Sequence, residues 1–157
     1  MINTPESPRN CKTINEMNVG DQFIREYTIT YDDVKKFSEI CGDWNPIHHD
    51  PEFAKGTIFK KQIAHGMISV AKFSGTLGMD LPGLGTIYLS QNVNFTAPAY
   101  LDTPYKAVME VSMITPENNT VTFCTWCEDE HGKKILSGKA TAKPIPEKVR
   151  NKMQAVA

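Results

Sequence analysis

The stretch GMISVAKFSGTLGM, Gly66 to Met79, is apolar or small on nearly every side, with Lys72 the one charged residue. A helix with that all-round character is usually buried. Gly75 inside it weakens a helix by ~1 kcal/mol relative to Ala, and close packing against another element would account for it. Downstream the period changes. In Thr86 to Phe95, Ile87, Leu89, Val93 and Phe95 fall on one face, and Tyr88, Ser90, Asn92 and Asn94 on the other. Three more alternating runs follow: Tyr105 to Thr115, Thr120 to Cys127 and Lys134 to Lys143. The turn signals APAYLDTP, TPENN and DEHGK separate them, and such adjacent runs predict an antiparallel meander. One apolar helix followed by four strands predicts an α+β domain, a curved sheet wrapped around that helix.

Upstream, Gln22 to Thr30 alternates, with Phe23, Arg25, Tyr27 and Ile29 on one parity, which predicts a strand. Thr30 is placed as an N-cap, with Asp32 and Asp33 in the first turn. Val34, Phe37, Ile40 and Cys41 form a helical stripe, and Gly42 stands where a C-cap belongs. Asp50-Pro51 reads as N-cap and first residue of a short helix through Ala54. Residues 1–15 are polar with two prolines and read as a loose arm. The folded domain is expected over 16–146, with a polar, partly helical tail at 147–157.

Composition limits the function. The 157 residues suit one domain, 40% of them hydrophobic, and the net charge is -1. No basic excess draws nucleic acid or anionic lipid, and no run approaches the roughly 18 apolar residues of a membrane span. The first residues lack the apolar region of a secretory signal. Cys11, Cys41, Cys124 and Cys127 are too sparse for a disulfide scaffold and read as thiols of a cytoplasmic protein. Cys124 and Cys127 are three apart on a strand, so they point to opposite faces. Zinc would also need two further ligands near them, and no metal is expected.

The chemistry concentrates in GDWNPIHHDPEFA, residues 42–54. Asp43 and His48 flank a turn that Pro46 stiffens. A carboxylate and an imidazole aimed at one point can hold a water, one accepting a proton and the other returning one. The plainer alternative is an Asp capping the turn and a merely polar His. Asn45 is expected to fix the turn through the backbone and to orient the Asp43 carboxylate. Asp50 is explained by capping, and His49 reads as solvated. Gly66 opens the apolar helix, where unpaired N–H groups favour a developing negative charge, and lacking a Cβ it lets a ligand approach. His65 beside it reads as a structural hydrogen-bonder.

These residues resemble the MaoC-like, (R)-specific enoyl-CoA hydratases. Their signature is similar to Phe37, SEIC and then GDWNPIHHDPEFA; IAHGMISVAKFSGTLG and LPGLGTIYLSQNVNFTAPAYLDTPYKAVMEV are similar to the family's second and third blocks. The resemblance runs from about Val19 to Lys143. It implies a hot-dog fold, and a homodimer with sheets joined side by side and acyl tunnels near the interface. The implied reaction is reversible syn addition of water to a trans-2-enoyl thioester, with no metal or redox cofactor and coenzyme A only as part of the substrate. Asp43 and His48 would hold the water, and the Gly66 N–H would bind the thioester oxygen. Ser74 matches a serine lining the site, and Leu77 a residue near the acyl end. Two departures stand out: Leu101 replaces a common Gly, and Trp44 is bulky for its slot. Three other activities fit such a fold: a 3-hydroxyacyl-[acyl-carrier-protein] dehydratase, an acyl-CoA thioesterase, and a non-catalytic acyl-thioester-binding subunit.

Overall fold

The structure is a computed structural model and describes residues 10–154. Strand β1 (Gln22–Thr28) alternates as its sequence does, with Phe23, Arg25 and Tyr27 half-buried. Helix α1 (Tyr31–Cys41) starts on a reciprocal cap: Asp33 N donates to Thr30 Oγ1 at 3.2 Å, and Thr30 N to Asp33 Oδ2 at 2.9 Å. It ends at Gly42, whose φ of 78° is left-handed and whose N–H bonds Ser38 O at 2.8 Å. Asn45 caps the single turn α2 (Pro46–His49), and Asp50 caps α3 (Pro51–Lys55) by accepting from Glu52 N and Phe53 N. Proline holds the first position of both.

Helix α4 (Gly66–Met79) follows, then β2 (Ile87–Phe95), β3 (Pro104–Thr115), β4 (Thr120–Asp129), β5 (Lys134–Lys143) and α5 (Glu147–Gln154). The antiparallel sheet runs β1-β3-β4-β5-β2. The expected four-strand meander therefore holds only for β3, β4 and β5. Strand β2 pairs with β5 at one edge, and β1 pairs with β3 at the other. The sheet closes over α4, whose Ile68, Phe73 and Leu77 pack among Met109, Val111, Phe123 and Leu136. Burying each such side chain contributes ~1.5–3 kcal/mol.

Two sequence expectations are corrected here. A bulge in β2 shifts the pairing from Tyr88↔Ala142 to Ser90↔Thr141, leaving Leu89 as the extra residue. The parity flips there, so Tyr88 and Val93 both pack on the core while Ile87 and Leu89 face outward. Helix α4 is also not buried all round, because Met67, Ala71, Ser74 and Gly75 are exposed. A Cβ on Gly75 would meet nothing within 4 Å, so packing within this chain does not explain that glycine.

The expected loose arm is packed from residue 10 onward. Lys12 N donates to Pro82 O at 3.0 Å, and Asn10 Nδ2 to Asp80 O at 2.7 Å. Residues 1–9 lie outside the described ones. Helix α5 returns Arg150 to Glu16, and that guanidinium holds the Glu16 carboxyl down at about 2. Cys124 and Cys127 lie on opposite faces of β4, and all four cysteines are free thiols. Among the described residues, no helix is long and apolar enough to cross a membrane.

Candidate active site

A cavity of about 620 Å³ opens beside the first turn of α4. Phe37, Phe59 and Phe95 line it with apolar surface, while Asp43, His48 and Gly66 bring polar groups to it. Asp43 stands on the loop that Gly42 turns out of α1. Its Oδ1 accepts from Asn45 N at 3.1 Å, and Asn45 Oδ1 accepts from Ile47 N at 3.1 Å. Asn45 thus shapes the turn with its side chain and steers the carboxylate with its backbone.

His48 is only 9% exposed. Its Nδ1 lies 2.8 Å from the Ile63 carbonyl oxygen, so Nδ1 carries the hydrogen and donates it. That leaves the Nε2 lone pair 3.8 Å from Asp43 Oδ2. The gap is too long for a direct hydrogen bond and short enough for one water to bond both atoms. Burial pushes the His48 pKa below its ordinary value of 6.5, against the opposing pull of the Ile63 carbonyl. The imidazole is therefore neutral at neutral pH and able to accept a proton.

Gly66 is the first residue of α4, and the residue before it provides no side-chain cap. Its N–H is one of the donors a helix start leaves unpaired. The glycine is needed for space: a Cβ here would lie 2.5 Å from Phe95 Cε1 and 2.8 Å from Cδ1. An unpaired donor at the positive end of a helix thus borders the same cavity as the carboxylate and imidazole.

Three other histidine-loop readings are settled by contacts. His49 is not solvated; it is half-buried, with Nε2 2.9 Å from Ser38 Oγ. Trp44 packs over His49 at 5.0 Å between ring centroids and covers the turn. His65 does bond structurally, its Nε2 lying 3.0 Å from the Asp43 carbonyl oxygen, and its ring also stacks on His48 at 3.8 Å. Its partners lie 22 and 27 residues away along the chain, at Asp43 and Ser38, so no local pattern signalled them. Ser74 and Leu77 are not among the residues lining the cavity of this chain. Ser74 is on the exposed side of α4, and Leu77 is enclosed in the core.

Asp43, His48 and His65 could be read as metal ligands, since one ligand atom from each lies within 4.8 Å of the others. Yet His65 Nε2 faces a carbonyl oxygen and so carries a hydrogen. With that nitrogen engaged, the two atoms that face each other across the cavity are Asp43 Oδ2 and His48 Nε2, fewer than the three protein ligands of a usual catalytic zinc.

A sheet wrapped around one helix is a hot-dog fold, and here it carries a carboxylate–imidazole pair at that helix's N-terminus. The family described as MaoC like domain matches residues 15–125. An (R)-specific enoyl-CoA hydratase of Rhodospirillum rubrum is 40% identical over 114 residues, 73% of this chain and 78% of that protein. A mitochondrial 3-hydroxyacyl-[acyl-carrier-protein] dehydratase of Arabidopsis thaliana is 30% identical over 129 residues, 80% of this chain and 76% of that one. The solved R-hydratase of Pseudomonas aeruginosa superposes with a TM-score of 0.83 at 36% identity, covering 88% of each chain. The chain belongs to the MaoC-like domain family.

Proposed function

We propose that the chain is an (R)-specific enoyl-CoA hydratase, adding water reversibly and syn to trans-2-enoyl-CoA to give (R)-3-hydroxyacyl-CoA. One observation carries this reading: Asp43 Oδ2 and His48 Nε2 stand 3.8 Å apart at a cavity that also receives the uncapped start of α4. Relatives at 36% and 40% identity named (R)-specific enoyl-CoA hydratase support it, and one at 37% is named 3-hydroxybutyryl-CoA dehydratase.

In this reading the water lies between the two groups and donates one hydrogen to each. As its oxygen attacks Cβ, the neutral His48 takes a proton through Nε2. The nascent imidazolium is stabilised by the Asp43 carboxylate and the Ile63 carbonyl. Electrons move from the C=C bond onto the thioester oxygen, where the Gly66 N–H stabilises the enolate. His48 then returns a proton to Cα. Both new bonds form on the face where the pair sits, which makes the addition syn. Losing an oxyanion donor of this kind typically costs ~10²–10³ in rate. The steps need no metal or redox cofactor, because the only charge that develops lies next to Gly66 and His48.

The proposal extends to assembly. The β2 edge leaves Ile87 and Leu89 60% and 48% exposed, and the small-residue side of α4 is uncovered. A second copy joined along β2 would cover both as a homodimer. Ser74 would then border the acyl tunnel with Leu77 beneath it. Free thiols suit a reducing compartment, and we place the enzyme in the cytoplasm.

The test is purified protein with crotonyl-CoA, following enoyl absorbance and free thiol in one sample and resolving the product by chirality. Enoyl loss without thiol, giving the (R)-3-hydroxy product, is expected. Thiol release would make the protein a thioesterase. Activity only on acyl-carrier-protein substrates would move it to the dehydratases of fatty-acid synthesis. No turnover of either carrier would leave a binding subunit.

A further inference from the structure

The acid–base pair and the oxyanion donor come from three separate segments, and one residue joins all three, two through its side chain and the third through its main chain. His65 is 4% exposed. Its Nε2 lies 3.0 Å from the main-chain carbonyl oxygen of Asp43 and 3.5 Å from Ser38 Oγ. Its ring lies flat on His48, with centroids 3.8 Å apart and planes 30° apart. Its own peptide group leads into Gly66. Residues at a helix N-cap often use their side chain to cap, but this one makes no cap bond. Its Nδ1 is buried without a partner among the described residues. Leaving a buried polar atom unpaired is unfavourable, and a plain core residue would avoid it.

We propose that His65 is a positioning residue for the reaction. Its Nε2–H fixes the Asp43 backbone, its ring face fixes the His48 plane, and its main chain ties both to the Gly66 donor. The inference rests on the hydratase reading and adds to it the part that sets the 3.8 Å gap between Asp43 Oδ2 and His48 Nε2. The ring of Phe37, 5.2 Å from that of His65, packs on it as well. Ser38, fully buried, links His65 to His49. The imidazole is therefore held from several directions before substrate arrives.

Two substitutions separate the contributions. His65→Gln keeps an N–H that reaches the Asp43 carbonyl and loses the stacked ring. His65→Phe keeps a ring and loses the donor. With crotonyl-CoA, His65→Phe is expected to lower kcat about 10²-fold with KM nearly unchanged, the scale of a misplaced catalytic group. His65→Gln should recover most of that loss, with unfolding midpoints close to the parent's. The pH profile gives a second readout. The groups facing His48 are Asp43, His65 and His49, and burial, to which the stacked His65 ring contributes, holds the His48 pKa down. Its acid limb should move to higher pH in His65→Gln.

Parent-like kcat in His65→Phe, or equal losses in both variants, would overturn the assignment. So would an unmoved acid limb in His65→Gln, which decides the matter by itself should His65→Phe not fold. A parent protein that hydrates no enoyl thioester would instead sink the hydratase reading and is distinguishable from these outcomes.

Discussion

Gly66→Ala asks whether the start of α4 is the oxyanion donor. The added Cβ would sit 2.5, 2.8 and 3.2 Å from Cε1, Cδ1 and Cζ of Phe95. Comfortable carbon contacts lie near 3.5–4.0 Å, so about 1 Å must be made up. The Gly66 backbone has no positive φ to forbid alanine. Phe95 is 52% exposed at the end of an edge strand, so its ring can turn away. Overpacking an enclosed core costs ~1–3 kcal/mol; with an exposed ring to move, the lower end applies. That is ~1 kcal/mol, or a fall of ~2–4 °C in Tm for a domain of this size. The catalytic loss should be larger, because the ring lines the cavity and must swing where the thioester sits. A kcat/KM loss of ~10–10²-fold is expected, short of the ~10²–10³ for complete loss of an oxyanion donor. Phe95→Ala opens the space, so Gly66→Ala should cost far less in that background. The assay is a double-mutant cycle with crotonyl-CoA hydration and thermal unfolding measured on all four proteins. If Gly66→Ala lowers kcat/KM equally with and without the Phe95 ring, the steric argument fails. If it lowers neither, the Gly66 N–H is not near the reacting carbonyl.

Asp43→Ala and His48→Ala should each fold and lose ~10²–10⁴ in hydration rate, measured by enoyl absorbance beside a circular dichroism spectrum; near-parent rates in both would remove the pair from the mechanism. Hydration should persist below pH 6.5, the ordinary histidine value, and fade as pH falls through the depressed His48 pKa. The stability sign follows from the same shift. The unfolded chain takes up the His48 proton first, so denaturant midpoints should fall as pH drops below 6.5; a midpoint that rises there would contradict the burial argument. Leu89→Lys places a charge on the exposed β2 edge and should turn a dimer into monomers by light scattering, with the circular dichroism spectrum unchanged. A monomeric parent would refute the proposed assembly.

What the sequence made readable, and what it hid, divide along the range of the interactions. Thr30 with Asp33, Gly42, Asn45 before Pro46, and Asp50 before Pro51 satisfy backbone groups within four residues, and each was readable from spacing alone. They also deliver Asp43 and His48 to one cavity, because the caps dictate where α1 stops and where α2 turns. The strand order and the Leu89 bulge depend on β5, some fifty residues downstream, so alternation within β2 could not reveal either. The same holds inside the site. His49 looked solvated because its partner, Ser38, lies on another helix. His65 reads from the sequence as a structural hydrogen-bonder, but its partners are hidden there because they lie on α2, on the loop before it and on α1. Local chemistry places the reacting groups, and non-local packing sets the distance between them. On that division, substitutions at the caps should act mainly on folding, and substitutions at His65 mainly on kcat.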